Sequence, residues 1–243
     1  MTTGQMALQL FGKSRRRGSP DYLIAGVDEA GRGPLAGPVV AAAVVLDPRR
    51  RLRGIRDSKV MDPAEREEMA VRIRKHALSW SVAWADVEEI DCLNILEATY
   101  LAMRRALMGL HLGPAHVEID GNRCPSFNGL RLDCTFKAII DGDALRTSIG
   151  AASILAKVRR DEIMVGLDKL YPQYGFAGHK GYGTPLHCEM LENLGPSKIH
   201  RFSFEPVRLA ARRTGGNERG VGGSQKNTPP STSPAFLSLP VTP

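Results

Sequence analysis

The chain has no long hydrophobic run: its longest apolar stretch, Val39 to Leu46, falls far short of the roughly 20 residues a membrane-spanning helix needs. No membrane association is expected. Cysteine is sparse and unclustered, since Cys92, Cys124, Cys134 and Cys188 show neither a CxxC pair nor metal-ligand spacing. Reduced thiols in a cytoplasmic protein are the expected state. No secretory leader is read at the start, which is polar and then basic. No internal repeat is apparent, which argues against a solenoid.

What the chain does have is enough apolar content, 42% of 243 residues, to bury one full core. Its formal net charge is +7, and the arginines cluster at Arg15–Arg17, Arg49–Arg56 and Arg208–Arg213. Clustered positive charge favours a polyanion such as nucleic acid as partner. Residues 1–20 are polar and basic, and residues 213–243 are rich in Gly, Ser, Thr and Pro. Neither segment carries the apolar surface to offset chain entropy, so the folded domain is expected over residues 21–212.

Within that domain, Tyr22 to Val27 reads as a buried strand and Val39 to Leu46 as its hairpin partner. Further strands are expected at Ser79–Ala85, Ala115–Asp120 and Cys134–Ile140. Asp62-Pro63-Ala64-Glu65 is a helix start with an N-cap acid, an N1 proline and a third-position Glu. That helix runs to about Leu78, and others are expected over Asn94–Leu110, Ser148–Leu170 and Thr184–Leu194. Strands first, then strand–helix alternation, then helices imply an α/β domain with a mixed sheet of five strands.

Two adjacent acids, Asp28 and Glu29, stand at the end of the first strand, before the glycine-rich turn Gly31-Arg32-Gly33-Pro34-Leu35-Ala36-Gly37. Carboxylates are poor strand formers and costly to bury unpaired, so a divalent cation is their simplest partner. Asp120 ends the fourth strand and Asp143 follows the fifth. Acids at the carboxyl ends of strands converge in α/β sheets. Four of them match a two-metal phosphodiesterase site, where the ions stand about 4 Å apart. Each alone has a plainer reading, as a turn residue at Asp120 or a helix cap at Asp143; their concurrence points to a metal site.

The motifs Gly26-Val27-Asp28-Glu29-Ala30-Gly31-Arg32-Gly33-Pro34, Asp57-Ser58-Lys59, Ile119-Asp120-Gly121-Asn122, Gly142-Asp143, Ala151–Asp161 and His179-Lys180-Gly181-Tyr182-Gly183-Thr184 closely resemble bacterial ribonuclease HII, a type 2 ribonuclease H. The resemblance runs from about Leu23 to Arg208. It implies an RNase H-like fold: a central mixed five-stranded sheet flanked by helices, with further C-terminal helices. It also implies Mg²⁺- or Mn²⁺-dependent hydrolysis of RNA in RNA–DNA hybrids and incision at single ribonucleotides in duplex DNA. The metal-binding acids then fall on Asp28, Glu29, Asp120 and Asp143, with two ions during catalysis. Gly31, Arg32, Gly33 and Tyr182 fall where the 2′-hydroxyl is read, the one feature that separates RNA from DNA at a single position. Ser58, Lys59, Asn122 and Lys180 complete the expected substrate-binding set.

Two departures stand out. Val60-Met61 follows Ser58-Lys59, where the family often has Leu, and the 126–143 segment is longer than expected. The added length brings Asp141, an alternative to Asp143. Lys157 and Ser153 are readable as phosphate contacts or as ordinary helix residues, and His179 as a site or a loop residue; His187 has no evident role. The segment 5–11, Gln-Met-Ala-Leu-Gln-Leu-Phe, weakly resembles peptides that dock on bacterial sliding clamps. A monomer is expected. The sister enzyme ribonuclease HIII usually carries an added N-terminal domain and a Glu as fourth acid. A dinucleotide-binding reading fails, because the glycine spacing is one residue too long and the acids would repel a pyrophosphate. A purely RNA-binding module leaves the four acids unexplained.

Overall fold

The computed structural model describes residues 23–56, 58–127 and 134–216. Five strands form one sheet: β1 (Ile24–Ala30), β2 (Val39–Leu46), β3 (Ala77–Ala85), β4 (His116–Asp120) and β5 (Thr135–Ile139), in the order β3-β2-β1-β4-β5. The β1–β2 and β2–β3 pairs are antiparallel, and the β1–β4 and β4–β5 pairs are parallel. The mixed sheet expected from the element order is therefore present.

Helices cover both faces. The first, α1 (Pro63–His76), closes its N-terminus with the expected box: Glu65 N–H donates to Asp62, and Glu65 accepts from the Asp62 N–H. A second helix, α2 (Val87–Leu93), was not anticipated, although Asp86 and Glu89 form the same reciprocal cap. Asn94, at φ 73°, ends α2 and caps α3 (Ile95–Met108). After β5 come the single turn α4 (Gly142–Leu145), the long α5 (Thr147–Leu170), another turn α6 (Phe176–His179), α7 (Pro185–Leu194) and α8 (Glu205–Gly216). Among the described residues, no helix is long and apolar enough to cross a membrane.

The packing explains the composition of β2, which reads Val-Val-Ala-Ala-Ala-Val-Val-Leu and is buried almost throughout. A strand covered on both faces reads as a continuous apolar run rather than an alternation. Val40, Ala42 and Val44 pack against α1 and α5, while Ala41, Ala43 and Val45 pack against α3. The first turn of α5 lies directly on β1. A Cβ at Gly26 would sit 2.1 Å from the Ser148 carbonyl carbon, so only glycine admits the helix there. A third small cluster joins Leu35 to Leu191, Val207 and Ala210, seating α7 and α8 against the glycine-rich turn.

Two expectations are corrected. β1 ends not at the two acids but one residue on, at Ala30, because β2 keeps pairing: Asp28 with Ala42, Glu29 with Ala41 and Ala30 with Val40. The C-terminal helix α8 continues to Gly216, past the boundary expected at residue 212. Asp57 and residues 5–11 lie outside the described residues.

Candidate active site

Strand geometry gathers the acids. β1 and β4 are parallel, and their last registered pair is Val27 with Ile119. The next residues, Asp28 and Asp120, therefore share one face at neighbouring strand ends. Asp120 is then joined to the segment after β5: its Oδ1 accepts the Gly142 N–H at 2.7 Å. That bond sets Asp143 one residue further on, buried at 9% exposure. Asp141, by contrast, is exposed, sits at φ 52° and makes no side-chain cap to α4. The geometry thus separates the two rivals, and Asp143 is the one on the Asp120 side.

Electrostatics ties the set together. Burial holds the Asp28 carboxyl well above its ordinary 3.8, and Glu29 and Asp120 push it further the same way. Glu29 is raised chiefly by burial, opposed by Arg32, with Asp120 adding to the rise. Asp120 is raised by burial and by Asp143, against the Gly142 N–H and Lys59. Three raised carboxyls, with the Asp143 charge adding to the rise at Asp120, form a frustrated cluster. Two exposed cations answer part of it, Arg32 on Glu29 at 3.4 Å and Lys59 on Asp143 at 3.1 Å. Among the described residues no three acidic, His or Cys side chains are drawn close enough to hold one ion as they stand. The donor set nonetheless fits a hard divalent cation, since it offers carboxylate oxygens alone and its two exposed cations leave part of the negative charge unanswered. Asp28, Glu29, Asp120 and Asp143 would hold it.

Beside the acids lies a cavity of about 200 Å³ lined by Glu29, Arg32, Tyr100, Met103, Asp120 and Asn122, among others. It places Arg32 and the exposed Asn122 alongside two of the acids. Gly33 is exposed, and the nearest atom to a Cβ built on it would be Tyr182 Cε1 at 3.9 Å. The glycine-rich turn and Tyr182, far apart in sequence, are thus neighbours.

Two buried arginines build that neighbourhood. Arg201 donates to the carbonyls of Gly31, Arg32 and Gly37. In a trans peptide the C=O and N–H point oppositely, so holding those of Gly31 and Arg32 inward aims the N–H groups of Arg32 and Gly33 away from the guanidinium. Arg160 donates to the carbonyls of Ala36, Pro38 and Lys180, and its Cζ lies 5.7 Å from the Tyr182 ring centre. Sequence reading missed both residues. A signal existed for Arg160, which shares the buried stripe of α5 with Ala156, Ile163, Met164 and Leu167.

The remaining expected residues sort as follows. Ser58 is buried, and its hydroxyl lies 2.9 Å from that of Ser153, which itself hydrogen-bonds Asp28. The hydroxyls of Ser58 and Ser153 thus stand in line behind Asp28. Lys59 is exposed beside Asp143. Lys180 donates its amine to the Ala177 carbonyl within its own loop. Lys157 pairs with Asp161 one turn along α5, at 2.8 Å. His179 spends both ring nitrogens inside the protein, on the Gly181 N–H and the Tyr174 carbonyl.

The chain is similar to known proteins over most of its length. The Ribonuclease HII family model matches residues 25–207. A Ribonuclease HII of Verminephrobacter eiseniae (strain EF01-2) is 57% identical over 188 residues, covering 77% of this chain and 88% of that protein. The crystal structure of the ribonuclease H2 from Pyrococcus horikoshii OT3 superposes with a TM-score of 0.70 at 31% identity, over 80% of this chain and 100% of the other. The RNase HII of Archaeoglobus fulgidus, whose structure was determined in complex with PCNA, superposes at 0.63 and 27% identity, over 75% of this chain and 95% of the other.

Proposed function

The chain belongs to the ribonuclease HII family, and from that premise we propose that it incises duplex DNA on the 5′ side of single embedded ribonucleotides, with two Mg²⁺ or Mn²⁺ ions as cofactors. The broader activity follows from membership: it is a metal-dependent endoribonuclease acting on RNA–DNA hybrids. The narrower reading rests on the adjacency of Gly33 and Tyr182 beside Arg32, which lines the acids' cavity.

In this reading Lys59 and Arg32 meet backbone phosphates, which sets register without reading sequence. The outward N–H groups of the glycine-rich turn approach the sugar closely, as glycine permits. The Tyr182 ring packs on that sugar, and its hydroxyl bonds the 2′-OH. Ser153 holds Asp28 in place, and the Gly142 N–H holds Asp120. When bound at Asp28, Glu29, Asp120 and Asp143, the ions supply Lewis acidity toward the attacking water and the departing 3′ oxygen. The products would carry a 3′-hydroxyl and a 5′-phosphate-terminated ribonucleotide.

The test is to map cleavage of a labelled duplex containing one ribonucleotide. Incision immediately 5′ of it supports the proposal. Cleavage of long hybrids alone would assign the sister specificity, and cleavage of neither would leave a binding protein on a nuclease fold. We place the enzyme in the cytoplasm as a monomer. A sliding clamp is proposed as a partner through residues 5–11, outside the described residues; the Archaeoglobus relative's complex with PCNA lends support. Unchanged clamp binding after deletion of residues 1–12 would remove that partner.

A further inference from the structure

His187 and His200 are both fully buried, and their Nε2 atoms lie 3.0 Å apart. The position of every proton follows from the neighbours. His187 Nδ1 stands 2.9 Å from the Tyr182 carbonyl oxygen, which can only accept, so Nδ1 carries the hydrogen. At the other end the Ser197 backbone N–H donates to His200 Nδ1 at 2.9 Å, so that nitrogen is bare. His200 Nε2–H must then donate to His187 Nε2. The chain runs Ser197 to His200 to His187 to Tyr182, and it is intact only when both rings are neutral. A proton added to either would set two N–H groups against each other. Packing favours neutrality, since His187 stacks on His179 at 4.3 Å and both rings lie against Phe176. Burial, aided by His187, lowers the His200 pKa to about 3.

The loop that this chain reaches is strained and held at successive carbonyls. Lys180 lies at φ 52° and Gly181 at φ 80°. Arg160 holds the Lys180 carbonyl, the Leu35 N–H holds that of Gly181, and His187 holds that of Tyr182 together with the Thr184 N–H. The backbone of Tyr182 is therefore fixed while the residue as a whole is 43% exposed. His200 also forms an isolated backbone bridge with Ala36, in the glycine-rich turn. One residue thus ties both sides of the site.

We propose that His187 and His200 form a directed hydrogen-bond relay that positions Tyr182 against the glycine-rich turn, which makes them positioning residues for ribonucleotide selectivity. This rests on the reading of Tyr182 as the 2′-hydroxyl contact. Neither histidine touches substrate; each acts through the Tyr182 carbonyl.

The test is a double-mutant cycle on the single-ribonucleotide duplex. His187→Phe should lower kcat/KM between about tenfold and a hundredfold, as misplacing a substrate-contacting group does. His187→Asn keeps an N–H donor near the Nδ1 position and should recover part of the loss. In a Tyr182→Ala background, His187→Phe should add no further loss. Full additivity would overturn the relay while leaving the Tyr182 reading intact. A Tyr182→Ala enzyme that cleaves normally would overturn both. Should His187→Phe fail to fold, imidazole ¹⁵N spectra of the wild-type protein still decide. Protonation at Nδ1 of His187 and Nε2 of His200 is expected, and the reverse tautomers or a charged ring at neutral pH would overturn the relay.

Discussion

Arg201 Nη2 donates to the Gly31 carbonyl at 2.6 Å, across 170 residues of sequence. Its other nitrogens hold Arg32 and Gly37, and no carboxylate is ion-paired with it among the described residues. Burial, then the nearby Arg160, brings its pKa down to about 9. Carbonyl dipoles stand where a counterion would usually be. Replacing Arg201 with Met strands three carbonyls, at roughly 1–3 kcal/mol for each one left buried. Chemical denaturation of Arg201→Met should show a loss of about 3 kcal/mol or more. Arg201→Lys should fall between, since an ammonium cannot span the fork. An unchanged midpoint in Arg201→Met would refute the bracing role.

The two glycines flanking Arg32 should behave differently. Gly31 lies at φ 96°, and a Cβ there would come within 2.0 Å of Arg160 Nε. Gly31→Ala should melt at a markedly lower temperature. Gly33 meets nothing closer than Tyr182 Cε1 at 3.9 Å, so Gly33→Ala should melt normally yet lose ribonucleotide cleavage by crowding the sugar. Equal melting losses in both variants would contradict the division.

Much of this architecture was legible in the chain. Val39–Leu46 was legible as a strand paired with the first, and Asp62 with Glu65 as a helix start. The acids were legible as a group because each stands where an α/β sheet gathers its chemistry. What escaped reading depended on contacts distant in sequence. The pairing of β2 carries β1 one residue past Asp28 and Glu29, to Ala30. Arg160 and Arg201 are buried by carbonyls brought from elsewhere, although arginine is ordinarily a surface residue. His187 had no visible role because its partners, Tyr182 and His200, are set by a loop and a turn. The cap at Asp86 and Glu89 has a local sequence signal, an acid followed three residues on by Glu.

Asp28 gives a pH-dependent test. Its carboxyl is raised above 3.8, first by burial and then by Glu29 and Asp120. A group raised in the folded state contributes its full stability below the unfolded value and loses it as pH rises through the folded value. Asp28→Asn should therefore be more stable than wild type without metal, by a margin that grows with pH above 4. Mg²⁺ or Mn²⁺ should raise the wild-type melting temperature more than that of Asp28→Asn. Thermal denaturation across pH, with and without the ions, reads both effects, and a margin independent of pH would contradict the assignment.

Asp141 and Asp143 should separate cleanly. Asn is well tolerated at the positive φ of Asp141, so Asp141→Asn should keep kcat/KM within about threefold, as exposed substitutions usually do. Asp143→Asn should lower it by roughly a hundredfold or more, on the scale of losing a transition-state electrostatic contact. The opposite order would move the fourth acid to Asp141.

The central claim is that the strand-end acids perform the chemistry while the basic loops hold the duplex. The most direct measurement compares wild type with Asp120→Asn on a duplex carrying one ribonucleotide, following incision in Mg²⁺ or Mn²⁺ alongside duplex affinity. Incision abolished with affinity largely retained is the result this account requires. Incision that persists, or that falls only in proportion to affinity, would contradict it.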